Sequence, residues 1–253
     1  MISYPNVKLN LGLHVLRKRP DGYHDLETLF VPYMPITDIL EIRPLETSGE
    51  DVIDIIGGGW DPHTDLCWRA LQMLKEDFDL PPVSITLTKR APVGAGLGSG
   101  SSDAAFTLKM LNGMFGLGLD DSALAGYAAR LGSDCAFFVY NRPMTGEGRG
   151  EILKAFDIDL SGYDIRVEIP EGVAVSTREA YSGIVPRLPE HDLRETLGLA
   201  PQMWKGRLVN DFEKTVFAVH PEIRTLKEKF YDEGAVYAAM SGSGSAVFGL
   251  FEK

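Results

Sequence analysis

The sequence predicts a mixed fold of the α/β or α+β class, and three observations carry that expectation. Stretches such as Val7–Val15 and Val83–Leu87 alternate apolar and polar residues with the period of two expected of strands. Others, such as the stretch holding Cys67, Ala70, Leu71 and Leu74, place apolar residues at helical spacing. The two kinds interleave along the chain instead of segregating into separate blocks. With 253 residues and 44% hydrophobic content, the chain can bury a full core as one large domain or two packed ones.

The first strand, VKLNLGLHV, puts Val7, Leu9, Leu11 and Leu13 on one face and Lys8, Asn10 and His14 on the other. It reads equally as a half-solvated edge strand or as a buried strand whose polar residues are paired, because burying an unpaired Lys is costly. The turn Pro20-Asp21-Gly22 then presents Tyr23 and His24 side by side, ahead of a second strand over Leu26–Tyr33. Two readings stand: a solvated histidine beside a turn, or an aromatic ring and an imidazole aimed together at a ligand. Short strands over Asp38–Ile42 and Val52–Ile56 lead to a helix over Asp65–Phe78, for which Thr64 is a candidate N-cap.

The strand over Val83–Leu87 feeds the stretch around which the chain is organised, KRAPVGAGLGSGSSDAAFTLKMLN. Gly94, Gly96, Gly98 and Gly100 stand at alternate positions, free to take positive φ and carrying no Cβ to obstruct a ligand. Helix-forming residues follow at once, so the loop ends at a helix start with free N–H groups and the positive end of the dipole, an anion site suited to phosphate. It is not a Walker A loop, because no Lys follows the glycines as GxxxxGK[ST] requires, and every G-x-G-x-x-G frame fails at its third glycine. The plain alternative, a flexible turn before a helix, leaves Pro92 and the paired serines Ser101 and Ser102 unexplained.

A helix over Asp121–Leu131 ends at Gly132, and Asp134 then stands directly before the apolar run Cys135–Val139. A carboxylate there is either a helix N-cap or a paired, functional acid. Composition shifts to Gly, Glu and Arg around Pro143–Gly150, a candidate boundary between halves. The second half holds a strand over Ile165–Ile169, a segment carrying Tyr181, the tetrapeptide Asn210-Asp211-Phe212-Glu213 and a charged helix over Glu222–Tyr231. Last come two apolar strands joined by SGSGS at Ser241–Ser245, either a tight connection or a backbone surface packed on the first glycine loop.

A net charge of −11 argues against nucleic acid as the main partner. An acidic protein that binds polyphosphate must gather its cations locally, and Lys8, Arg17, Lys18, Arg19, Lys89 and Arg90 are the candidates. With no 18-residue apolar run and no secretory pattern in MISYPNVKLN, no membrane span or leader is expected. Cys67 and Cys135 sit among apolar neighbours like reduced core residues of a cytoplasmic protein.

The pattern P-x-G-x-G-L-G-S-G-S-S-x-A-A at residues 92–105 resembles the phosphate loop of the GHMP kinases. PNVKLNL near the start and SGSGSAVF near the end resemble the two other motifs of that superfamily, in the same order and spanning the chain. KLNLGLHVLRKRPDGYHDLETLF, LGSD and NDFE are similar to its 4-diphosphocytidyl-2-C-methyl-D-erythritol kinase branch, and the D-G-Y-H turn sets that branch apart from homoserine and mevalonate kinases. The resemblance implies an α+β, two-domain fold: an S5-like N-terminal domain over 1–150 with the ATP-binding and catalytic groups, and a ferredoxin-like C-terminal domain over 151–253. It implies ATP and Mg²⁺ as cofactors, and transfer of the γ-phosphate to the 2-hydroxyl of the methylerythritol moiety. Asp134 would take the hydroxyl proton and Lys8 would orient that carboxylate. Lys89, Pro92 and the run Gly94, Ala95, Gly96, Leu97, Gly98, Ser99, Gly100, Ser101 and Ser102 would hold ATP. Asn10, Tyr23 and His24 would grip the cytidine diphosphate end, with Tyr181 stacking on cytosine. A monomer or weak homodimer is expected. The branch often has Asn-Leu where this chain has Asp65-Leu66, which leaves adenine contacts there open.

Overall fold

The computed structural model describes residues 1–46 and 49–253. In chain order its strands and helices are β1 (Ile2–Ser3), β2 (Asn6–Lys18), β3 (His24–Thr37), β4 (Ile39–Pro44), β5 (Val52–Ile56), α1 (Leu66–Asp77), β6 (Val83–Thr88), α2 (Ser99–Phe115), α3 (Asp121–Leu131), α4 (Cys135–Tyr140), β7 (Met144–Gly148), β8 (Ile152–Ala155), β9 (Tyr163–Glu168), α5 (Thr177–Ser182), α6 (Leu193–Leu197), α7 (Phe212–Val219), α8 (Pro221–Asp232), β10 (Tyr237–Met240) and β11 (Val247–Glu252). The chain divides into two compact units, neither continuous in sequence: residues 1–8, 32–93 and 98–142 form the first, and residues 9–31, 94–97 and 143–253 the second.

The first unit is built on a sheet of order β1-β4-β6-β5. β4 runs antiparallel to β6, with Leu40 opposite Leu87 and Ile42 opposite Ile85, and β5 runs parallel to β6. Leu40, Ile42, Ile85 and Leu87 are fully buried, as the alternation in sequence requires. Cys67, Ala70, Leu71 and Leu74 are the buried stripe of α1, which packs on α2. The cap of α1 is Asp65, not Thr64: its carboxylate accepts from the Cys67 N–H at 2.8 Å and from the Trp60 indole at 2.9 Å. The Thr64 hydroxyl instead donates to the Asp61 carbonyl. A carboxylate at this position is thereby explained by helix capping.

The second unit carries the sheets β2-β3-β7-β8 and β10-β11-β9. The stretch around Pro143–Gly150, where composition suggests a boundary, supplies β7, paired with β3 from Leu26 opposite Gly148 to Phe30 opposite Met144. The two last strands form the expected antiparallel pair on either side of SGSGS. An apolar cluster of Leu13, Val15, Phe212, Val216, Phe230 and Val247 is closed by Tyr181 at its margin.

β2 settles the choice left open by its sequence. Residues from Asn6 to Val15 are buried on both faces, Lys8, Asn10 and His14 included. The half-solvated edge strand is therefore excluded, and each buried polar group needs an account.

Candidate functional site

The account of Lys8 begins at α4. Asp134 occupies the N-cap position of that helix, yet its side chain makes no capping hydrogen bond. Its carboxylate instead lies 3.5 Å from the Lys8 ammonium, with side-chain exposures of 31% for Asp134 and 4% for Lys8. The acid thus faces solvent while the cation is buried behind it. Burial pushes the Lys8 ammonium below its ordinary pKa, and the charge of Asp134 offsets part of that shift. The first turn of α2 begins beside this pair. Gly98, at φ +72°, is the N-cap of α2, and a Cβ there would meet Lys8 Cε at 3.1 Å and Phe138 at 3.2 Å. Its lack of a side chain lets the lysine stem cross under the helix start.

α2 then presents the backbone of Ser99, Gly100 and Ser101, and its first intrahelical bond runs from the Ser102 N–H to the Gly98 carbonyl at 3.0 Å. A long helix with unpaired first-turn N–H groups favours an anion at this end. Gly94, Gly96 and Gly98 take positive φ as their spacing suggests, whereas Gly100 lies inside α2 and is absent from the positive-φ positions. A Cβ at Gly94 or Gly100 would meet nothing within 4 Å, so the loop is open there to a bulky ligand. The Ser102 hydroxyl is fully buried and has no hydrogen-bond partner among the described residues.

Lys89 departs from its expected part. Its ammonium is 3% exposed and held by Asp38 and by Asp103 at 2.6 Å. Asp38 also accepts from the backbone N–H groups of Arg90 and Ala91, just before the loop. A cation so committed fastens the loop entrance to α2 and is not free to meet a phosphate. Burial first, then the carboxylate of Asp38, pushes Asp103 up to about 8 against the pull of Lys89, because one ammonium cannot neutralise two buried carboxylates. Arg17 and Arg19 are likewise engaged, with Asp25 and with Asp21 and Asp25 respectively.

In the second unit, the ring of His24 stacks on Tyr181 with centroids 4.8 Å apart and 22° between planes. The two rings come from opposite ends of the sequence and meet as one platform. Tyr23 is 56% exposed, with the Arg149 guanidinium 5.0 Å from its ring centre. Burial, then the charge of Lys18, holds His24 below the ordinary histidine pKa, leaving a neutral ring with one donor and one acceptor at pH 7. Asn10 donates to the Thr28 hydroxyl at 3.0 Å, and its backbone N–H donates to the Ser241 hydroxyl at 3.2 Å.

The two glycine–serine stretches meet within this unit. The Ser241 hydroxyl donates to the Gly96 carbonyl at 3.2 Å, and the Ala246 N–H to the Ala95 carbonyl at 3.1 Å. A Cβ at Gly96 would lie 2.1 Å from the Ser241 carbonyl oxygen, so only glycine permits this approach. Of the two readings of SGSGS, packing on the first loop is the one observed.

Residues 65–142 match the family described as GHMP kinases N terminal domain, and residues 184–253 match GHMP kinases C terminal. A 4-diphosphocytidyl-2-C-methyl-D-erythritol kinase of Bacteroides fragilis is 50% identical over 254 residues, covering 99% of this chain and 92% of the relative. The chain belongs to the GHMP kinases. Another relative of the same name, from Bacteroides thetaiotaomicron, is 47% identical over 100% of this chain and 92% of its own. Among solved GHMP kinases, a 4-(cytidine 5'-diphospho)-2C-methyl-D-erythritol kinase superposes with a TM-score of 0.82 at 32% identity, covering 99% of this chain and 90% of that one. A homoserine kinase from Cytophaga hutchinsonii, 18% identical with a TM-score of 0.64 over 98% of this chain and 85% of that one, shares the fold. The chain thus has the two-domain GHMP kinase fold with mixed helix and sheet.

Two features of this GHMP kinase were beyond reach of motif reading. Arg149 over Tyr23 joins residues distant in sequence with no spacing to announce it. The Asp38–Lys89–Asp103 cluster likewise forms only once β4, which Asp38 precedes, packs with β6 and α2.

Proposed function

We propose that this protein is an ATP-dependent kinase that phosphorylates the 2-hydroxyl of 4-diphosphocytidyl-2-C-methyl-D-erythritol, a step of non-mevalonate isoprenoid precursor biosynthesis. The observation that carries the reading is full-length identity of 50% to a relative of that name, with the Lys8–Asp134 pair intact at 3.5 Å. Phosphoryl transfer asks a protein mainly for positioning and charge stabilisation. Asp134, partly exposed and not spent on capping, accepts the proton of the attacking hydroxyl. Lys8 fixes that carboxylate and contributes positive charge beside it. The amides of Gly94–Ser102 and the start of α2 hold the ATP phosphates; positive φ at three glycines and the orphaned Ser102 hydroxyl fit a polar ligand at this loop. Mg²⁺, when bound with the nucleotide, would neutralise charge on the phosphoryl oxygens.

Tyr23, His24, Asn10 and Tyr181 hold the cytidylyl end. A base requires a face to stack on and partners for its edge, and the His24–Tyr181 platform offers both. On this reading 1–150 supplies the ATP-binding and catalytic groups and 151–253 is the C-terminal kinase domain. We take the enzyme to be cytoplasmic and a monomer or weak homodimer. Two free, buried cysteines support the first, as does the lack of any described helix long and apolar enough to cross a membrane.

The test is ATP-dependent phosphorylation of the cytidylyl substrate beside mevalonate and homoserine, read by ADP release and by phosphorus NMR of the product. Transfer to the cytidylyl substrate alone is expected. Comparable kcat/KM on homoserine or mevalonate overturns the reading.

A further inference from the structure

Asn210-Asp211-Phe212-Glu213 has no part in the reaction as described above, yet each of its side chains ends on something that matters. The Asn210 amide donates to the Met240 and Gly242 carbonyls, both at 2.8 Å, and is 3% exposed. Those carbonyls frame the SGSGS turn. From that turn Ser241 reaches the Gly96 carbonyl and receives the Asn10 N–H, each at 3.2 Å. Gly242 is packed as tightly, since a Cβ there would sit 2.8 Å from the Gly96 carbonyl oxygen and 3.2 Å from Asn10 Oδ1. Glu213 accepts from the Met240 N–H at 2.9 Å and pairs with Lys227 at 2.6 Å. Asp211 accepts from the Val15 N–H at 2.8 Å, and its own N–H donates to the Leu13 carbonyl at 2.8 Å. Phe212 points the other way, its ring set edge-on to Tyr181 with centroids 4.7 Å apart and 77° between planes.

We propose that Asn210 and Phe212 are positioning residues for two different ligands: Asn210 sets the SGSGS turn that seats the Gly94–Leu97 part of the phosphate loop, and Phe212 sets the Tyr181–His24 platform. This deepens the function proposed above and rests on it. The reasoning is local and electrostatic on one side, and steric on the other. Two carbonyls aimed at one amide fix a turn only while both donors are present, and losing them leaves buried acceptors unpaired. An edge-to-face ring contact fixes the tilt of the Tyr181 ring, which a branched aliphatic side chain of similar volume would not. Because both residues stand in one tetrapeptide, a merely structural role for it would disturb both ligands together. A positioning role separates them.

The experiment compares wild type, Phe212→Leu, Asn210→Ser and Ser241→Ala by steady-state kinetics with ATP and the cytidylyl substrate varied in turn, alongside thermal unfolding. Phe212→Leu is expected to raise KM for the cytidylyl substrate about 3–10-fold, the scale of one lost aromatic pair, with KM for ATP unchanged. Asn210→Ser is expected to raise KM for ATP about tenfold, on the scale of two lost hydrogen bonds, and to move the cytidylyl KM much less, because a serine hydroxyl can still receive the Phe212 N–H that the Asn210 side-chain oxygen accepts at 3.0 Å. Should Asn210→Ser fail to fold, Ser241→Ala reads the same route from the turn side and is expected to raise KM for ATP more than KM for the cytidylyl substrate, the smaller change arriving through Asn10, whose N–H the Ser241 hydroxyl receives. Adding Phe212→Leu to Tyr181→Ala should cost nothing beyond Tyr181→Ala, since Phe212 acts through that ring. Equal shifts in both KM values, unchanged KM values with only a lower Tm, or full additivity of the double variant overturn the proposal. Failure of the wild type to phosphorylate the cytidylyl substrate would instead overturn the functional reading beneath it.

Discussion

Asp134 shows how a residue read two ways in sequence is resolved by a single geometric fact. It stands where an N-cap stands but caps nothing, and its carboxylate is turned to Lys8. Asp134→Asn should therefore keep the fold and leave ATP affinity nearly unchanged while lowering kcat by about 10²–10⁴-fold, the usual cost of a lost general base, with a lower Tm because the buried Lys8 ammonium loses its carboxylate. A variant keeping most of its kcat would remove Asp134 from that role. Asp103 makes a different prediction at the same scale. The unfolded chain releases this proton near pH ~4, while the folded chain keeps it to about 8. Between those values the native state binds more protons, so stability falls as pH rises through the window. Burial acts to lower the Lys89 pKa, but its two carboxylate partners outweigh that and raise it, so Lys89 stays charged throughout and adds no slope. Asp103→Asn mimics the protonated acid. The Tm of wild type relative to this variant should decline from pH 5 to pH 9, and a constant difference would refute it. Asp134 was legible in the sequence because an acid before five apolar residues is conspicuous. Lys89 was not, because Asp38, which turns it from a phosphate cation into a brace, is brought beside it only by sheet packing.

At the scale of the element, a glycine loop leading into a helix was legible in the sequence, but its glycines are required for unlike reasons. Gly96 is needed because the Ser241 carbonyl approaches it, and Gly98 because Lys8 and Phe138 do. Gly94 faces open space, the space left for the phosphates on the proposed reading, and has positive φ. Gly94→Ala should thus lose about 1 kcal/mol of stability from backbone strain and raise KM for ATP modestly, its Cβ standing in that space. Gly98→Ala adds crowding of Lys8 Cε, and its main effect should be on kcat through the displaced ammonium. Gly96→Ala cannot be seated without moving the Ser241 backbone, and should raise KM for ATP most of the three. Calorimetry and initial rates on the three variants decide the ranking, and equal effects would mean that strain alone governs the loop. β2 was less legible. Its alternation is that of a half-exposed strand, whereas Lys8 and Asn10 are covered and paired with groups on α4, β3 and the SGSGS turn. A periodicity reports which residues share a face, not what comes to cover that face.

For the whole molecule, strands and helices follow local pattern, but the path of the chain between its units does not. β2 and β3 each run through both units, and Gly94–Leu97 belongs to one while the residues on either side belong to the other. These exchanges depend on long-range strand pairing, which leaves no local signature. The division at 150/151 belongs to the proposed reading, whereas the compact units are interleaved along the chain. A fragment of residues 151–253 lacks β2, β3 and β7, three of the four strands of one sheet in its unit. It also lacks Leu13 and Val15 from the cluster that holds Phe212, Val216 and Phe230. Its remaining apolar face would be uncovered at a cost of about 25 cal/mol for each Å² exposed. The fragment is therefore expected to show no cooperative thermal transition and to bind hydrophobic dye, whereas the intact chain should melt in one transition, because unravelling either unit pulls on strands continuous with the other. Circular dichroism and calorimetry on the fragment and the intact chain make the comparison. A fragment that melts cooperatively on its own, or an intact chain with two resolved transitions, would show that the shared strands do not couple the units.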